Sequence, residues 1–392
     1  MNYHILLLAL IVGSSLDAQQ YYPWVVIGAG PAGLVSVAQL LEHGVSDDDI
    51  VWIDPEFSSG RIGKYYGNVP GNQKAGQFVS FLEESSIFSA FSSPAVDAIK
   101  AYDPLLEYPL RLAADVVIDL TQYLCTRVAW QQDTVQCLWS DQGLWWLRLN
   151  DGVICAQKVI LATGSHPKRF YYEGVQEIPL DIALDETKLQ KLVTHDDTVM
   201  VVGSAHSAFL ILKFLYDFGV KKIINIYNQE PRVGGVGGLM GITAYWVQNV
   251  MLNNPSPMLE RVLFDPKTME EYVSMCSKVV YAFGYEPNEI PVNGVARLSY
   301  DLDTGIIEKN LYGIGIAFPQ PHIAEDGVRV ELIGFNSFMY RAKTCMPFWL
   351  QDVADEKVVL SSQLVRTHKV QENEQHASCL AAAASEWAGR WI

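Results

Sequence analysis

The chain has 392 residues, of which 49% are hydrophobic and 18% are charged, and its formal net charge at pH 7 is −16. This length predicts two or three domains of ordinary size, and the composition is typical of a packed globular protein. Nucleic acid is excluded as an expected partner, because neutralising phosphates requires clustered Lys and Arg and the chain has no long basic run.

The N-terminus carries an uninterrupted apolar run at residues 5–12, followed by small residues at 13–15. The run is too short to span a bilayer comfortably, so no stable membrane span is expected. It is similar to the hydrophobic region of a signal peptide, which makes residues 1–18 a candidate leader of a secreted or extracytoplasmic protein. No Lys or Arg precedes the run, so a cytoplasmic protein with an apolar N-terminal arm stays open as the alternative.

A strand, a glycine-rich turn, a helix and a second strand follow in order. The pattern predicts a strand at Trp24–Ile27, a turn at 28–33, a helix at Leu34–His43 and a strand at Ile50–Ile53, with Asp54 closing the second strand. The turn has the spacing G-x-G-x-x-G, and a strand before it and a helix after it are the context that a dinucleotide-binding fingerprint requires.

Each glycine of this turn has a distinct physical role. Gly28 permits the tight turn, Gly30 lets the backbone approach a pyrophosphate, and Gly33 lets the helix pack closely on the strand. The helix N-terminus offers unpaired N–H groups and the positive end of its dipole to phosphates. Asp54 can accept hydrogen bonds from both ribose hydroxyls of an adenosine. The predicted cofactor-binding residues here are Gly28, Gly30, Pro31, Ala32, Gly33 and Asp54.

The same layout occurs again later in the chain. A strand is predicted at Val199–Val202, a helix at Phe209–Phe218 and a second strand at Ile223–Tyr227. The first glycines of the two units, Gly28 and Gly203, are 175 residues apart (203 minus 28).

A later strand that ends in glycine follows each unit. The first includes the candidate cofactor contacts Thr163 and Gly164, and the second ends at Gly284. One fingerprint is weak evidence for a nucleotide-binding fold. Two such units, each followed by a later strand that ends in glycine (hereafter the exit of that fold), are strong evidence. The chain is therefore predicted to be an α/β protein with two nucleotide-binding modules in tandem, one for a flavin and one for a nicotinamide.

The second fingerprint departs from the glycine pattern. Ala205 adds a methyl group where a pyrophosphate approaches, which weakens that contact without closing the site. His206 either hydrogen-bonds a phosphate, lines the cleft, or is a helix-start residue with a satisfied imidazole. The predicted contacts in this turn are Gly203, Ala205, His206, Ser207 and Ala208.

A neutral residue, Asn228, closes the second strand of the second unit at the position matched to Asp54. Arg232 lies four residues further on. A neutral residue with a nearby Arg favours a 2′-phosphate, so NADPH is the preferred donor and Arg232 a predicted contact. Glu230 lies between them and weakens this interpretation.

These motifs make the chain similar to the flavoprotein oxidoreductases with two dinucleotide-binding domains, the superfamily of glutathione and thioredoxin reductases and flavin-containing monooxygenases. The resemblance spans nearly the whole mature chain. It implies an FAD-binding domain at 22–175 and 291–392, with an NAD(P)H-binding domain at 176–290 inserted into it. It also implies FAD and NAD(P)H as cofactors and a small-molecule substrate.

Two further segments take their expected roles from this resemblance. The segment 311–317 lies where the family has a flavin-contacting Gly-Asp motif, but no Asp follows Gly315, so backbone N–H groups would replace it. The segment Gly60–Tyr66, which includes Gly63, resembles the Gly-Gly-x-Trp stretch of the monooxygenases. Asn72 then falls at the flavin-facing position. It is the candidate catalytic residue, because its amide can both donate and accept hydrogen bonds.

The cysteines distinguish the branches of the superfamily. Dithiol reductases need two closely spaced cysteines beside the flavin, and no two cysteines here have the spacing C-x-x-C or C-x-x-x-x-C. The same spacings indicate no metal site. Buried free thiols are expected for all six: Cys125, Cys137, Cys155, Cys276, Cys345 and Cys379.

The resemblance favours the monooxygenase branch, although the F-x-G-x-x-x-H fingerprint of that branch is missing. Two other functions stay open: an NAD(P)H-dependent flavin reductase or dehydrogenase with a quinone or protein acceptor, and a non-catalytic flavin-binding interaction protein.

The glycine-rich stretch 234–238 is either a lid over the nicotinamide or a connection. His166 and His322 are expected to be structural, and four tryptophans are expected in a β-meander core: Trp130, Trp139, Trp145 and Trp146. Nothing in the sequence marks a substrate pocket or an oligomer interface.

Overall fold

The computed structural model describes residues 20–351 except 255, 268 and 326, so the candidate leader and residues 352–392 lie outside the described residues. The strands are β1 (Tyr21–Ile27), β2 (Ile50–Asp54), β3 (Pro70–Lys74), β4 (Glu107–Pro109), β5 (Ala129–Gln132), β6 (Cys137–Asp141), β7 (Leu144–Arg148), β8 (Val153–Leu161), β9 (Ser165–Pro167), β10 (Gln176–Glu177), β11 (Thr198–Val202), β12 (Lys222–Tyr227), β13 (Leu259–Leu263), β14 (Lys278–Tyr281), β15 (Tyr285–Pro287), β16 (Ile306–Glu308), β17 (Leu311–Gly313), β18 (Gln320–Ile323) and β19 (Arg329–Leu332).

The helices are α1 (Pro31–Glu42), α2 (Gly60–Tyr65), α3 (Ala75–Glu83), α4 (Ser86–Ala90), α5 (Pro94–Lys100), α6 (Leu110–Cys125), α7 (Leu180–Ala183), α8 (Glu186–Gln190), α9 (His206–Phe218), α10 (Gly241–Trp246), α11 (Met269–Ser274) and α12 (Phe335–Gln351). A 3₁₀ turn at Asp47–Asp49 precedes β2, and a π-helical turn at Val247–Leu252 continues α10.

A parallel sheet with the order β17-β8-β1-β2-β5 forms the first nucleotide-binding fold. The antiparallel strand β16 and the β6–β7 hairpin extend it. Its central strand β1 is apolar at consecutive positions, with Val25 and Val26 fully buried. Such a run suits a parallel sheet that is covered on both faces. Helices α1, α3, α6 and α12 cover one of these faces.

A second parallel sheet has the order β13-β12-β11-β14-β10. Around β1 the strands follow the order 3-2-1-4-5, and four strands around β11 follow the order 3-2-1-4, as in the Rossmann fold. The edge strand β10 differs, because it precedes β11 in the chain. In the chain this sheet lies between β8 and β17 of the first sheet. The protein is therefore an α/β protein with two Rossmann-like folds, the second inserted into the first, as the sequence and its resemblance predict.

The two predicted fingerprint helices are present, and both begin earlier than their apolar periodicity indicates. Helix α1 begins at Pro31, and α9 begins at His206. Each first turn contains small or polar residues, which hide the periodicity. Both helices end at a left-handed glycine: Gly44 has φ +84° and Gly219 has φ +80°.

The modules are joined by an antiparallel strand pair and by the returning chain. Strand β9 leaves the first fold and pairs with β15, which leaves the second. After β17 the chain forms the β18–β19 hairpin and then α12, which packs on α1 and α3. Lys158 is buried below α12, where its ammonium donates to the carbonyl oxygen of Trp349.

The prediction of a tryptophan core is wrong at one position. Trp139, Trp145 and Trp146 are buried on β6 and β7, but Trp130 is 51% exposed. Trp130 lies on β5, the edge strand of the sheet, where its ring contacts Phe57 edge-on. An edge strand is covered less than a central one, and the local sequence does not tell the two apart.

No helix within residues 20–351 is both long and apolar enough to cross a bilayer. In the same described part of the chain, no group of three or more His, Cys, Asp or Glu side chains is placed to hold a metal ion. The five described cysteines are free thiols, and four of them are buried as expected, but Cys125 is only partly buried; Cys379 lies outside this part.

Candidate functional site

The first glycine corner is built by the protein's own backbone contacts. Gly28 has φ +106°, and its N–H donates to the Ile53 carbonyl oxygen over 2.7 Å. A Cβ atom at Gly28 would lie 2.2 Å from the Ala162 oxygen, and one at Gly33 would lie 1.8 Å from the Gly28 oxygen. The fold itself therefore requires glycine at both positions, because no side chain fits such approaches.

Gly30 differs from the other two glycines of the turn. Its φ of −78° is open to any residue, and the nearest atom to an added Cβ would be the Gly60 Cα, at 4.0 Å. Packing within the chain therefore does not explain glycine here. Backbone without side chains, at the start of a helix of 12 residues, is what the close approach of a pyrophosphate requires.

Three backbone N–H groups hold the Asp54 carboxylate. Ala29 donates to one oxygen over 2.7 Å, and Glu56 and Phe57 donate to the other over 2.8 and 2.7 Å. An ionised carboxylate offers about four acceptor sites. About one is left for a ribose hydroxyl, fewer than the two hydroxyls expected from the sequence. The carboxylate is also held rigidly.

Two buried hydroxyl groups beside this corner have no hydrogen-bond partner within the described part of the chain: Ser59 Oγ and Thr163 Oγ1. Ser59 directly precedes Gly60, and the Thr163 backbone lies next to Gly28. Buried polar atoms are nearly always hydrogen-bonded, so such orphans at a glycine corner indicate contacts to a ligand. Thr163 is a contact predicted from the sequence, whereas Ser59, which has a left-handed backbone (φ +60°), carries no local motif that marks it.

The returning chain reaches the start of α1. A Cβ atom at Gly315 would lie 2.7 Å from the Ala32 Cβ, and Gly315 has φ +89°. The segment after β17 thus lies beside the N-terminus of α1, and Ile316 follows Gly315 where the family motif has its Asp. By contrast, a Cβ at Gly63 would lie 2.1 Å from the Ser58 oxygen, so internal packing accounts for that glycine.

An asparagine that the sequence analysis missed links the exits of both folds. The Asn288 side chain donates to the Thr163 oxygen over 2.8 Å, and its backbone N–H donates to the Gly164 oxygen over 2.9 Å. Its Oδ1 is 2.9 Å from Nδ1 of His166, which has the structural role expected for that histidine. On the second exit, the Gly284 oxygen accepts from the Lys168 N–H over 3.0 Å.

The second glycine corner repeats the first in detail. Gly203 has φ +141°, its N–H donates to the Ile226 oxygen over 2.8 Å, and a Cβ would lie 2.1 Å from the Ala282 oxygen. The corner carbonyl accepts from the neighbouring strand in both modules: from Trp52 Nε1 in the first (2.8 Å) and from Asn225 Nδ2 in the second (2.9 Å).

This correspondence corrects one match made from the sequence. Because Gly28 bonds to Ile53 and Gly203 to Ile226, the counterpart of Asp54 is Tyr227, and Asn228 is one residue further on. The Asn228 side chain still reaches the turn, since its Oδ1 accepts from the Ser204 hydroxyl over 2.9 Å. Counting along the sequence misses a one-residue shift that the strand register reveals.

His206 has its Nε2 engaged within the protein. Nε2 accepts the Met240 backbone N–H over 2.9 Å, so the ring is neutral with its proton on Nδ1. Burial lowers the pKa of His206, in agreement with a neutral ring. Of its neighbours, Ala205 is an exposed extended N-cap, Ala208 is fully buried, and Ser207 hydrogen-bonds the Tyr285 side chain.

Glu230, which weakened the interpretation of Arg232, pairs with another residue. Its carboxylate is 2.7 Å from Nη1 of Arg261, and that hydrogen bond lowers the pKa of Glu230. The Arg261 guanidinium lies over the Tyr227 ring, 4.1 Å from its centroid. Arg261 lies on β13, so no local signal near Asn228 could have identified it.

A polar cluster crosses from α2 of the first module to the second. The Tyr66 hydroxyl is 2.9 Å from Asp181 Oδ1 and 3.0 Å from the Tyr285 hydroxyl, and Arg61 also pairs with Asp181. Burial raises the pKa values of Tyr66 and Tyr285, so both phenols stay protonated at neutral pH. The contact of Tyr285 with Ser207 extends the cluster to the start of α9.

Asn72 is exposed on β3, which pairs with β4 and contacts α10 of the second module. The strand that carries this candidate catalytic residue thus contacts the second module, and the role of Asn72 stays a prediction. The adjoining Asn68 bridges the modules directly, donating to Asp185 over 2.9 Å.

The profile of the pyridine nucleotide-disulphide oxidoreductase family matches residues 22–233. Since the match covers more than half of the chain, the protein belongs to this family. It is an oxidoreductase that uses FAD and a pyridine nucleotide. The residues of the first fold also fit FAD, because the side-chain-free backbone at Gly30 and the hydroxyl groups of Ser59 and Thr163 that lack a hydrogen-bond partner in the described part of the chain lie where this fold would hold it.

Individual relatives agree with this assignment. Monooxygenase AgnR1 of Paecilomyces divaricatus is 28% identical, over 86% of this chain and 100% of that protein. A flavin-containing monooxygenase from Stenotrophomonas maltophilia superposes with a TM-score of 0.56 at 15% identity, over 86% of this chain and 99% of that one. Bacillithiol disulfide reductase from Staphylococcus aureus has a TM-score of 0.54 at 14% identity, over 85% and 99%. These two solved structures establish the likeness of the fold.

Proposed function

We propose that the protein is an NADPH-dependent flavin monooxygenase that acts on a small-molecule substrate. The observation that carries this proposal is the similarity to monooxygenase AgnR1, which extends over the whole of that protein. In the reaction, NADPH, a proton, oxygen and the substrate would yield NADP⁺, water and the oxygenated substrate.

The cysteines support this branch over disulfide reduction. The two that are nearest in sequence, Cys125 and Cys137, are 12 residues apart (137 minus 125), so no dithiol motif is available. Burial raises the pKa of the Cys155 and Cys276 thiols to about 11. Because the thiolate is the reactive form, such thiols are poor redox nucleophiles at neutral pH.

The chain's own residues would bind and orient the two cofactors. FAD, when bound, supplies the hydride and oxygen chemistry. Gly30, Asp54, Ser59 and Thr163 would hold it in the first fold, while the corner at Gly203 would hold the nicotinamide cofactor. Asn72 would offer its amide to the oxygen-transfer step.

A preference for NADPH is the finer part of this proposal. Tyr227 and Asn228 are both neutral, and neither presents a carboxylate to repel a 2′-phosphate. The nearby carboxylate of Glu230 pairs with Arg261. Arg232 is therefore proposed to contact the 2′-phosphate.

Substitution of Arg232 tests the preference. A charge-assisted hydrogen bond contributes about 1.5–3 kcal/mol, so Arg232→Ala should reduce the ratio of kcat/KM for NADPH over NADH by about 10- to 150-fold. Ala205→Gly should tighten both nucleotides or leave them unchanged. The matched control is Arg127→Ala, which removes a cation paired with Asp47 in the other module. An unchanged ratio in Arg232→Ala would remove Arg232 from the site.

Stopped-flow kinetics tests the function itself. The FAD-loaded protein is mixed anaerobically with NADPH or NADH, the flavin absorbance is followed, and the reduced protein is then mixed with oxygen and candidate substrates. A monooxygenase is reduced by NADPH and forms oxygenated product in proportion to oxygen consumed. Reduction with electron transfer only to a quinone or protein would indicate a reductase. No reduction by either nucleotide would indicate a non-catalytic flavin protein.

We also propose export of the chain, on the basis of the apolar run at residues 5–12 alone. N-terminal sequencing of protein secreted by the native host tests it. A mature N-terminus near residue 19 is expected, and an intact N-terminus on intracellular protein would contradict export.

A further inference from the structure

A loop of the second module, residues 233–239 (hereafter the glycine loop), is closed on itself. The Gly234 N–H donates to the Leu239 oxygen over 2.8 Å, and the Leu239 N–H donates to the Arg232 oxygen over 2.7 Å. A Cβ at Gly238 would lie 2.0 Å from the Gly234 oxygen, so the loop is compact. It is not part of either sheet.

The glycine loop reaches the first module at two places. A Cβ at Gly237 would lie 2.7 Å from a methyl group of Val330 on the β18–β19 hairpin. Just beyond the loop, a Cβ at Gly241 would lie 2.5 Å from the Glu107 carboxylate beside β4. The loop therefore crosses the gap between the two folds, on the side where the nucleotide-binding turn of the second fold lies.

One hydrogen bond joins this loop to the nucleotide-binding turn. Met240 follows the loop directly, and its N–H donates to Nε2 of His206, the first residue of α9. His206 comes immediately after the turn 203–205, where the family places the pyrophosphate of a pyridine nucleotide. A group bound at this turn would therefore lie beside His206, whose side chain joins the turn to the residue that follows the loop.

We propose that His206 is a positioning residue that couples pyridine nucleotide binding at the Gly203 turn to closure of the glycine loop over that nucleotide. This inference rests on nucleotide binding in the second module. Nε2 of His206 accepts the Met240 N–H and so holds the end of the loop. The N-terminus of α9, which carries His206, attracts the phosphates of the nucleotide. The bound nucleotide and the loop then stabilise each other, because each orders the helix start that the other uses.

The test uses the FAD-loaded, oxidised protein with NADP⁺ as the probe. In the wild type, NADP⁺ should slow amide hydrogen exchange at residues 233–240. His206→Ala should abolish this slowing and weaken NADP⁺ binding about fivefold, the effect of one neutral hydrogen bond. KM for NADPH should rise by a similar factor, with kcat at saturating NADPH changed less. FAD content and thermal midpoint should stay near the wild-type values.

Two further variants separate positioning from general damage. His206→Gln carries a side-chain carbonyl oxygen that can replace Nε2 as acceptor for the Met240 N–H, so it should restore both loop protection and NADP⁺ affinity. His195→Gln is the matched control, because His195 is an exposed residue whose Nδ1 contacts the Gly219 oxygen at the far end of α9. It should behave as the wild type.

Specific outcomes overturn the inference. If NADP⁺ slows exchange in the glycine loop equally in wild type and His206→Ala, His206 does not couple the two. If the wild type binds NADP⁺ tightly with no change in loop exchange, the loop does not close, although the proposed function stands. If the wild type binds neither NADP⁺ nor NADPH, the proposed function fails together with this inference.

Discussion

Replacing Gly30 by Ala should weaken FAD binding and leave the fold intact. At Gly30 the backbone is in a region open to any residue, and an added methyl group would approach protein only at 4.0 Å, which is ordinary contact. The protein alone therefore tolerates the change. If the methyl group displaces a phosphate from even one backbone N–H, the loss is about 1.5–3 kcal/mol, or about 10- to 150-fold in the dissociation constant of FAD.

Gly28→Ala is the matched control, because it adds the same methyl group two residues away. There the new atom would lie 2.2 Å from the Ala162 oxygen, and the backbone has φ +106°, which disfavours any side chain. Overpacking of about 1–3 kcal/mol adds to the conformational strain. This variant should lower the thermal midpoint of the protein even after the flavin is removed.

The assay combines flavin content with thermal unfolding. FAD is released by denaturation and quantified against protein, and unfolding midpoints are compared for flavin-free wild type, Gly30→Ala and Gly28→Ala. Gly30→Ala should retain less FAD than the wild type and, once flavin-free, should unfold at the same midpoint as the flavin-free wild type. Wild-type FAD occupancy in Gly30→Ala would refute the assignment of this turn, and a midpoint as low as that of Gly28→Ala would refute the packing argument.

Three further predictions concern the oxygen step, the acid limit and the fold. Asn72→Ala should keep FAD and its reduction by NADPH but release hydrogen peroxide instead of product, with about 10²–10³ lost in oxygenation; unchanged coupling contradicts this. Asp197 has a pKa of about 2, because hydrogen bonds led by Lys278 outweigh its burial. The ionised carboxylate therefore contributes about 2 kcal/mol to the free energy of unfolding above pH 4, and this contribution is lost as pH falls toward 2. When the free energy of unfolding is measured against pH, this acid-dependent loss should be absent from Asp197→Asn. Lys158→Met should cost about 1–3 kcal/mol in urea unfolding by leaving the last carbonyls of α12 without this donor; an unchanged midpoint counts against that cap.

The duplicated unit could be predicted from the sequence because its signals are local. A buried parallel strand reads as an apolar run, and a turn with positive φ needs glycine, as at Gly28 and Gly203. Helix α9 ends where Gly219 takes a left-handed conformation. The same locality explains two of the errors, since the exposure of Trp130 and the counterpart of Asp54 depend on neighbours in space.

The sequence by itself determined the two fingerprint corners, their order in the chain and the lack of a dithiol motif, because each depends on residue types at short spacing. Only the tertiary structure decided which side chains meet around them. Gly60, which follows Ser59, lies against Gly30 of the first turn, Asn288 joins the two exits, and Asp181 meets Arg61 across the modules. Likewise, His206 accepts its hydrogen bond from Met240, 34 residues away. Periodicity and propensity extend over a few residues, whereas these contacts form only when separate strands and helices pack together.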